Sequence, residues 1–330
     1  MPEQLSKSSQ VPVVLGINDA YVYPLIISVL SAQSHTQNQI NFIIAFDRNL
    51  LSTESQKIIQ DVLNFKEIHF RFLEIDISSS RWDGIFINSS HFGRMAYIKL
   101  LLPEYLLINF VWLDADTLVR GPLDDLLCSP FFDSGNIISA VPEYFPGHRW
   151  NINKAIRKSG KHYFNAGVML LNSTRWQENG VNVKWRKVIS SYEKFSFGLA
   201  DQDVLNFIFA TQDGFVPLPE KYNFGSDLEL TELDTRILHF KGVSKPWHYD
   251  FSTLVQRGGN LKEYADFEKT VLLELKIEKD LHKKVEFLRT TLISRNEFTQ
   301  EKPPNFRIKV KHKIKMALLL IKQLAKEREI

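Results

Sequence analysis

Cysteine is almost absent from this chain: Cys128 stands alone among 330 residues. One thiol excludes an intrachain disulfide and fits a reducing compartment. Long apolar runs are missing as well. The Leu318 to Ile321 stretch falls far short of the ~20 residues that cross a bilayer, and Met1 to Gln10 is polar, without the basic-then-apolar order of an export signal. Export by the usual route is therefore not expected, and the chain reads as soluble or peripheral. There is no Gly-x-Gly-x-x-Gly and no Walker-type loop, which argues against a standard dinucleotide or P-loop site. No internal repeat or low-complexity segment occurs.

What is present suits a sizeable enzyme. With 44% apolar residues, the chain supports one large core with appendages. Strand and helix signals alternate through the first half. Val11 to Ile17 reads as a buried strand, Tyr21 to Ser34 as a helix, Ile40 to Phe46 as a second strand, and Thr53 to Asn64 as a helix capped by Ser52 or Thr53. His69 to Ile75 makes a third strand, Met95 to Leu102 a helix stopped by Pro103, and Phe110 to Leu113 a fourth strand. The fold class is α/β, with a mainly parallel sheet whose ligand crevice lies beyond the C-terminal strand ends, after Ile17 and Leu113. Further strands are expected at Ile137 to Val141 and Phe164 to Leu171, and a helix at Ala200 to Ala210. Glu143 to His162 reads as a lid or specificity loop and Gly214 to Asp227 as a loop. Helical patterns dominate beyond Lys262 as far as Pro303-Pro304. The expected organisation is a catalytic domain over 1–260 and a helical C-terminal extension over 261–330.

Chemistry concentrates in two places. The fourth strand runs into Leu113-Asp114-Ala115-Asp116, and far downstream lies His239-Phe240-Lys241-Gly242-Val243-Ser244-Lys245-Pro246-Trp247. Side chains alternate along an extended segment, so Asp114 and Asp116 can point the same way while Ala115 points into the core. Two carboxylates and one imidazole make a mixed oxygen and nitrogen set suited to manganese or magnesium, with positions left for phosphate oxygens. Gly242 lets backbone approach a phosphate, and Lys245 offers a compact positive charge. Each piece has a plainer reading taken alone: an acid pair as a solvated turn, His239 as a structural histidine, Asn165-Ala166-Gly167 as a strand with a close-packed glycine, Trp247 as core.

The net charge of +3 hides an asymmetry. From Asn305 to Ile330 there are eight Lys or Arg against Glu327 and Glu329, so this tail carries +6 and the rest −3. Ile314, Ala317, Leu318, Ile321, Leu324 and Ala325 recur at helical spacing, which gives the basic segment an apolar face. Docking on an anionic membrane surface is expected; a helix packed on the domain or in a dimer is the alternative. Nucleic acid is not an expected partner, because the tail lacks interleaved aromatics and the body is mildly acidic.

Five segments in order carry a resemblance: Tyr97 to Glu104, Leu113 to Val119, Phe164 to Val168, Asp201-Gln202-Asp203-Val204-Leu205-Asn206, and His239 to Trp247. Together, over roughly Val11 to Asp250, the chain resembles glycosyltransferase family 8, which includes bacterial lipopolysaccharide galactosyl- and glucosyltransferases and resembles glycogenin. The resemblance implies a Rossmann-like, mainly parallel sheet of the GT-A type and a retaining hexosyltransferase that uses UDP-galactose or UDP-glucose with a glycan or glycolipid acceptor. It also implies that Asp114, Asp116 and His239 bind Mn2+, with Mg2+ as the other candidate, and that Gly242 and Lys245 contact the donor's phosphates. Asp201, Asn165 and Glu143 would hold sugar hydroxyls, Ala115 would lie against the donor, and Gln202 would sit beside the anomeric carbon. The turn Gly16-Ile17-Asn18-Asp19-Ala20-Tyr21 would cradle uracil and ribose, with Tyr21 stacking on the base. Asn18 stands where the family often has aspartate, and Lys99 where it usually has arginine; Asn18 can still accept from uracil's N–H, and Lys99 can still neutralise phosphate. A cytoplasmic enzyme, peripheral on the inner face of the cytoplasmic membrane, follows from family and tail together.

Two other classes fit parts of this pattern. Asp114-Ala115-Asp116-Thr117 after an apolar strand also matches the nucleophile motif of haloacid dehalogenase-like phosphatases, although there the motif opens the core domain. The Asn18 and Lys99 departures motivate a noncatalytic nucleotide-sugar-binding or membrane-scaffold protein.

Overall fold

The computed structural model describes residues 10–77, 94–143, 162–190, 200–210, 214–225, 234–242 and 245–298. Its first strands are β1 (Val13–Ile17), β2 (Phe42–Phe46), β3 (Phe70–Glu74), β4 (Phe110–Leu113) and the short β5 (Thr117–Val119). After them come β6 (Ile138–Pro142), β7 (Phe164–Leu171), β8 (Phe215–Pro217), β9 (Phe224–Gly225) and β10 (Ile237–His239). The helices are α1 (Val22–His35), α2 (Thr53–Phe65), α3 (Ile98–Tyr105), α4 (Asp124–Leu127), α5 (Ser173–Glu178), α6 (Val181–Ser190), α7 (Ala200–Phe209), α8 (Phe251–Arg257), α9 (Gly259–Leu275) and α10 (Lys279–Phe298).

A seven-stranded sheet runs β3-β2-β1-β4-β7-β6-β8, parallel except where β7 pairs antiparallel with β4 and β6. Its centre is built from continuous apolar runs because both faces are covered: β2 and β7 are buried at every residue. β3, at the edge, is half exposed and carries Arg71 and Glu74, charges that discourage further pairing. Val13, Leu15 and Ile17 face one core with α1, α2, α9 and α10, while Val14 and Trp112 face a second core with α3, α5, α6 and α7. α1 is buried from Val22 through Ala32. A helix apolar all round needs cover on all sides, and Tyr264, Val271, Leu272 and Leu275 of α9 with Leu281 and Val285 of α10 supply the outer side.

The expected elements lie where the patterns put them, within a few residues at the ends. Ser52 caps α2, accepting from the Ser55 N–H at 3.2 Å. Two readings need correction. Pro103 does not stop a helix at Leu102: it lies inside α3, which continues to Tyr105, with Leu106 N–H closing the last turn on Leu102 O at 2.7 Å. Buried Leu100, Leu101 and Leu102 hold that turn down, so packing outweighs the one helical hydrogen bond a proline cannot donate. The stretch from Gly214 is not simply a loop either. It contributes β8 to the edge of the large sheet and β9 to a second, three-stranded sheet, β5-β10-β9. Of the expected lid, Glu143 and His162 are described and the residues between lie outside the described residues, as do Val243, Ser244 and the basic tail.

Candidate active site

Sheet order reverses between β1 and β4, so the connections leaving these strands diverge and open a crevice at their C-terminal ends. Asp114 is the first residue beyond β4. Because β7 runs antiparallel to β4, its beginning lies at that same end: Leu113 pairs with Val168, and Asp114 N–H donates to Gly167 O at 2.8 Å. The chain then turns into β5, where Thr117 pairs with His239 of β10, and Phe240 N–H donates to Asp116 O at 2.9 Å. The small second sheet therefore delivers the imidazole to the acid pair. His239 Nε2 lies 3.2 Å from Asp116 Oδ1 and 3.7 Å from Asp114 Oδ2.

A relay of amides sets the ring's tautomer. Gly167 N–H donates to Asn165 Oδ1 at 2.9 Å, which fixes that oxygen as an acceptor. Asn223 Nδ2 donates to the same oxygen at 2.8 Å, so Asn223 Oδ1 is left facing His239 Nδ1, also at 2.8 Å. Nδ1 must then carry a proton, which leaves Nε2 as the ring nitrogen turned toward the carboxylates and the one able to give its lone pair to a cation placed between them. Asp114, Asp116 and His239 each offer one ligand atom, all within 4.8 Å of one another. This donor set fits a divalent cation of the magnesium or manganese kind. Replacing Asn223 with alanine is expected to weaken divalent-metal affinity by about 10–100-fold, with little change in the circular dichroism spectrum; calorimetric metal titration checks this.

Charge around the acids is balanced from two sides. Lys245 Nζ lies 2.6 Å from Asp116 Oδ2 and donates to Phe240 O at 2.5 Å. Burial alone would raise the Asp116 carboxyl, but Lys245 and then His239 outweigh it and hold it well below the usual carboxylate range. On the other side, Lys99 is buried, donates to Asp114 at 3.2 Å and to Ala166 O at 3.1 Å, and forms an ion pair with Asp201 at 2.9 Å. Burial alone would lower the Lys99 ammonium, and the charges of Asp114 and Asp201 more than reverse that. Burial, with Asp114 adding to it and Lys99 opposing, raises Asp201 to about 6. Trp112 Nε1 donates to Asp114 Oδ1 at 2.7 Å.

The start of α7 forms the next wall. Gln202 Oε1 accepts from Ala166 N–H at 3.0 Å, while its Nε2 donates to Tyr163 Oη at 3.0 Å and Glu143 Oε2 at 3.3 Å. Tyr163 donates in turn to buried Asp203 at 2.7 Å. Asn206, one turn along, pairs its amide with both Phe164 N–H and Phe164 O at 2.8 Å, fastening α7 to β7. Glu143 leaves β6 beside Asn165, 3.5 Å from its Nδ2, and its Oε1 also meets Lys241 Nζ at 3.3 Å. Asp114, Asp116, Asn165, Gln202, Glu143, His239 and Lys245 thus gather in one crevice.

The remaining expected positions are distributed around it. Gly16 is pressed against the opposite core: a Cβ there would sit 2.8 Å from both Ile98 and Trp112. Asn18 caps the turn into α1, accepting from Ala20 N–H at 3.0 Å. Tyr21 packs edge-on to Trp247, with centroids 6.0 Å apart, and burial followed by the charges of Asp116 and Asp114 raises its phenol. Ala115 is buried in the core, and Gly242 sits at φ +80 with open space where a side chain would go. Sequence reasoning missed Asn223, Tyr163, Asp203 and Lys241. Asn223 had no local signal; Asp203 and Asn206 lay within a motif already noted.

A mainly parallel sheet whose switch-point strand ends in an acid pair, completed by an imidazole from a second small sheet, places the chain among GT-A glycosyltransferases. The profile of Glycosyl transferase family 8 matches residues 12–250, and the chain belongs to that family. A lipopolysaccharide 1,2-glucosyltransferase of Escherichia coli is 26% identical over 269 residues, covering 75% of this chain and 76% of that protein. A lipopolysaccharide 1,3-galactosyltransferase of Salmonella typhimurium is 26% identical over 46% of this chain and 49% of its own. Among solved structures, the galactosyltransferase LgtC with donor and acceptor sugar analogues superposes with a TM-score of 0.63 at 22% identity, covering 79% of this chain and 96% of that one. Family membership displaces the phosphatase alternative, and so does β4's place as the fourth strand rather than the first.

Proposed function

We propose that this protein is a metal-dependent retaining hexosyltransferase, moving galactose or glucose from a UDP-sugar to a glycan or glycolipid acceptor in lipopolysaccharide or surface-polysaccharide synthesis. The observation that carries it is the convergence of Asp114, Asp116 and His239, with Nδ1 of the imidazole bonded to Asn223 and Nε2 turned toward the acids. The lipopolysaccharide glucosyl- and galactosyltransferases among the relatives support the sugar and acceptor class. Mn2+ suits the site best, with Mg2+ the other candidate. Bound there, the cation would stabilise negative charge growing on the departing diphosphate.

The chain's own residues do the rest. Lys245 places an ammonium beside that leaving group, where charge appears in the transition state, and Gly242 leaves room for a phosphate to approach backbone. Asp201, Asn165 and Glu143 hold sugar hydroxyls, and the turn from Gly16 through Asn18 to Tyr21, with Ala115 behind it, receives the nucleoside. Lys99 acts here by fixing Asp114 and Asp201, between whose carboxylates its ammonium is buried. In the reaction the bond from the anomeric carbon to diphosphate oxygen breaks and the acceptor oxygen bonds on the same face. The acceptor's proton passes to the diphosphate oxygen. Gln202, neutral and held by three protein contacts, positions and stabilises the sugar rather than attacking it. A two-step route would need Asp201, whose carboxylate is tied to Lys99.

A screen of UDP-sugars with Mn2+, reading UDP release with and without bacterial glycolipids, tests this. Expected is metal-dependent release from UDP-galactose or UDP-glucose without phosphatase activity. Donor binding without release from any sugar would instead favour a noncatalytic binding protein. The basic tail, by this proposal, docks on anionic membrane. Deleting residues after Asn305 should weaken binding to anionic vesicles by tenfold or more, since each basic residue is worth about 1 kcal/mol at such a surface, and should spare donor hydrolysis. Equal vesicle binding rejects the tail assignment.

A further inference from the structure

Among the described residues, the chemistry above leaves a buried charged cluster unused. Glu268 of α9 is fully buried and takes Arg289 Nε of α10 at 2.6 Å, Arg289 Nη2 at 3.3 Å and Tyr23 Oη of α1 at 2.5 Å. Such a pair adds little stability over apolar packing, because desolvating two charges offsets their attraction. What it supplies is direction. With its plane fixed by Glu268, the guanidinium aims Nη2 at Tyr249 O, 3.2 Å away, and its carbon lies 3.9 Å over the Phe251 ring. Arg289 therefore grips both neighbours of Asp250.

That grip reaches the active site through short steps. Tyr249 N–H donates to Pro246 O at 3.1 Å, closing the turn Pro246–His248 that begins directly after Lys245. Trp247 in that turn is wedged between Tyr264 of α9, 6.2 Å away, and Tyr21. Tyr264 also meets Phe240 edge-on at 5.2 Å, and Phe240 O is the carbonyl that receives Lys245. Both ends of the segment carrying Lys245 thus rest on the C-terminal helix pair.

We infer that Arg289, oriented by Glu268, is a positioning residue for the phosphate-contacting segment from Lys245 to Asp250, so that the catalytic unit extends through α10. The functional half of this inference rests on the reading of Lys245 as a phosphate contact. R289K keeps a charge for Glu268 but lacks the planar fork that serves Glu268 and Tyr249 O together. F251L leaves the buried pair intact, keeps an apolar side chain against the core, and removes the stacking of Arg289 together with the Lys269 contact on the same ring at 5.2 Å. In the full-length protein, each is expected to bind UDP about tenfold more weakly and to exchange backbone amides of residues 245–251 about tenfold faster. Exchange in β1 and β4 should be unchanged, and Mn2+ affinity should stay within twofold of wild type. Unchanged UDP affinity and exchange in F251L would overturn the inference, as would R289K loosening β1 and β4 equally. If wild-type protein fails to bind UDP, the donor reading falls, while local exchange still decides whether Arg289 holds the segment.

Discussion

Asp116→Asn is expected to abolish measurable glycosyl transfer while the protein remains folded: kcat/KM should fall by about 10³-fold or more, because both the proposed cation and the charge it would place at the leaving group depend on this carboxylate. Asp116 divides its two oxygens, one toward His239 at 3.2 Å and one toward Lys245 at 2.6 Å. Asparagine retains the shape and one acceptor but not the charge. Alanine is the harsher probe, since it leaves the Lys245 ammonium, 10% exposed, without even an acceptor oxygen where the carboxylate stood. Breaking a largely buried pair from one side costs about 3–5 kcal/mol, so Asp116→Ala should lower Tm by clearly more than Asp116→Asn while the two are equally inactive. Thermal melts, metal titration and UDP release separate the effects. Turnover by Asp116→Asn within tenfold of wild type would reject the metal assignment.

The contrast between those variants shows what the sequence carried and what it did not. β4 and the acid pair were legible because an apolar strand leading into Asp-x-Asp is a local pattern, and side-chain alternation orients both acids. Central strands were legible for the same reason: burial on both faces demands uninterrupted apolar runs. Lys245 as the partner of Asp116 was not legible, since 129 residues separate them and only β10's pairing with β5 brings them together. β8 and β9 were hidden because strands of three and two residues owe their form to β6 and β10 rather than to local preference. The Asn165–Asn223–His239 relay was invisible for a similar reason: each amide's role is fixed only by the one before it. α1 gave a clue that its sequence reading did not exploit, because eleven consecutive buried residues in a helix require an outer layer, and α9 with α10 is that layer.

Gly167→Ala should be nearly as damaging as loss of a metal ligand, with divalent-metal affinity and turnover both reduced about 100-fold, although alanine is an ordinary residue for a strand. Gly167 has no left-handed backbone to excuse its glycine; the reason is space. A Cβ at this position would stand 2.2 Å from Cε1 and 2.5 Å from Nδ1 of His239, and 2.9 Å from Asn165 Oδ1. The ring cannot swing aside cheaply: it is held by Asn223 at Nδ1, and its backbone is paired with Thr117 on one side and Gly225 on the other. Overpacking of this kind costs about 1–3 kcal/mol, and relief by rotating the imidazole removes Nε2 from the acid pair. A double-mutant cycle isolates this cause. In a His239→Ala background the obstructing ring is gone, so adding Gly167→Ala should lower residual metal affinity by less than twofold. A full further loss in that background would mean that Gly167 serves the pairing of β7 with β4 instead of the imidazole's position.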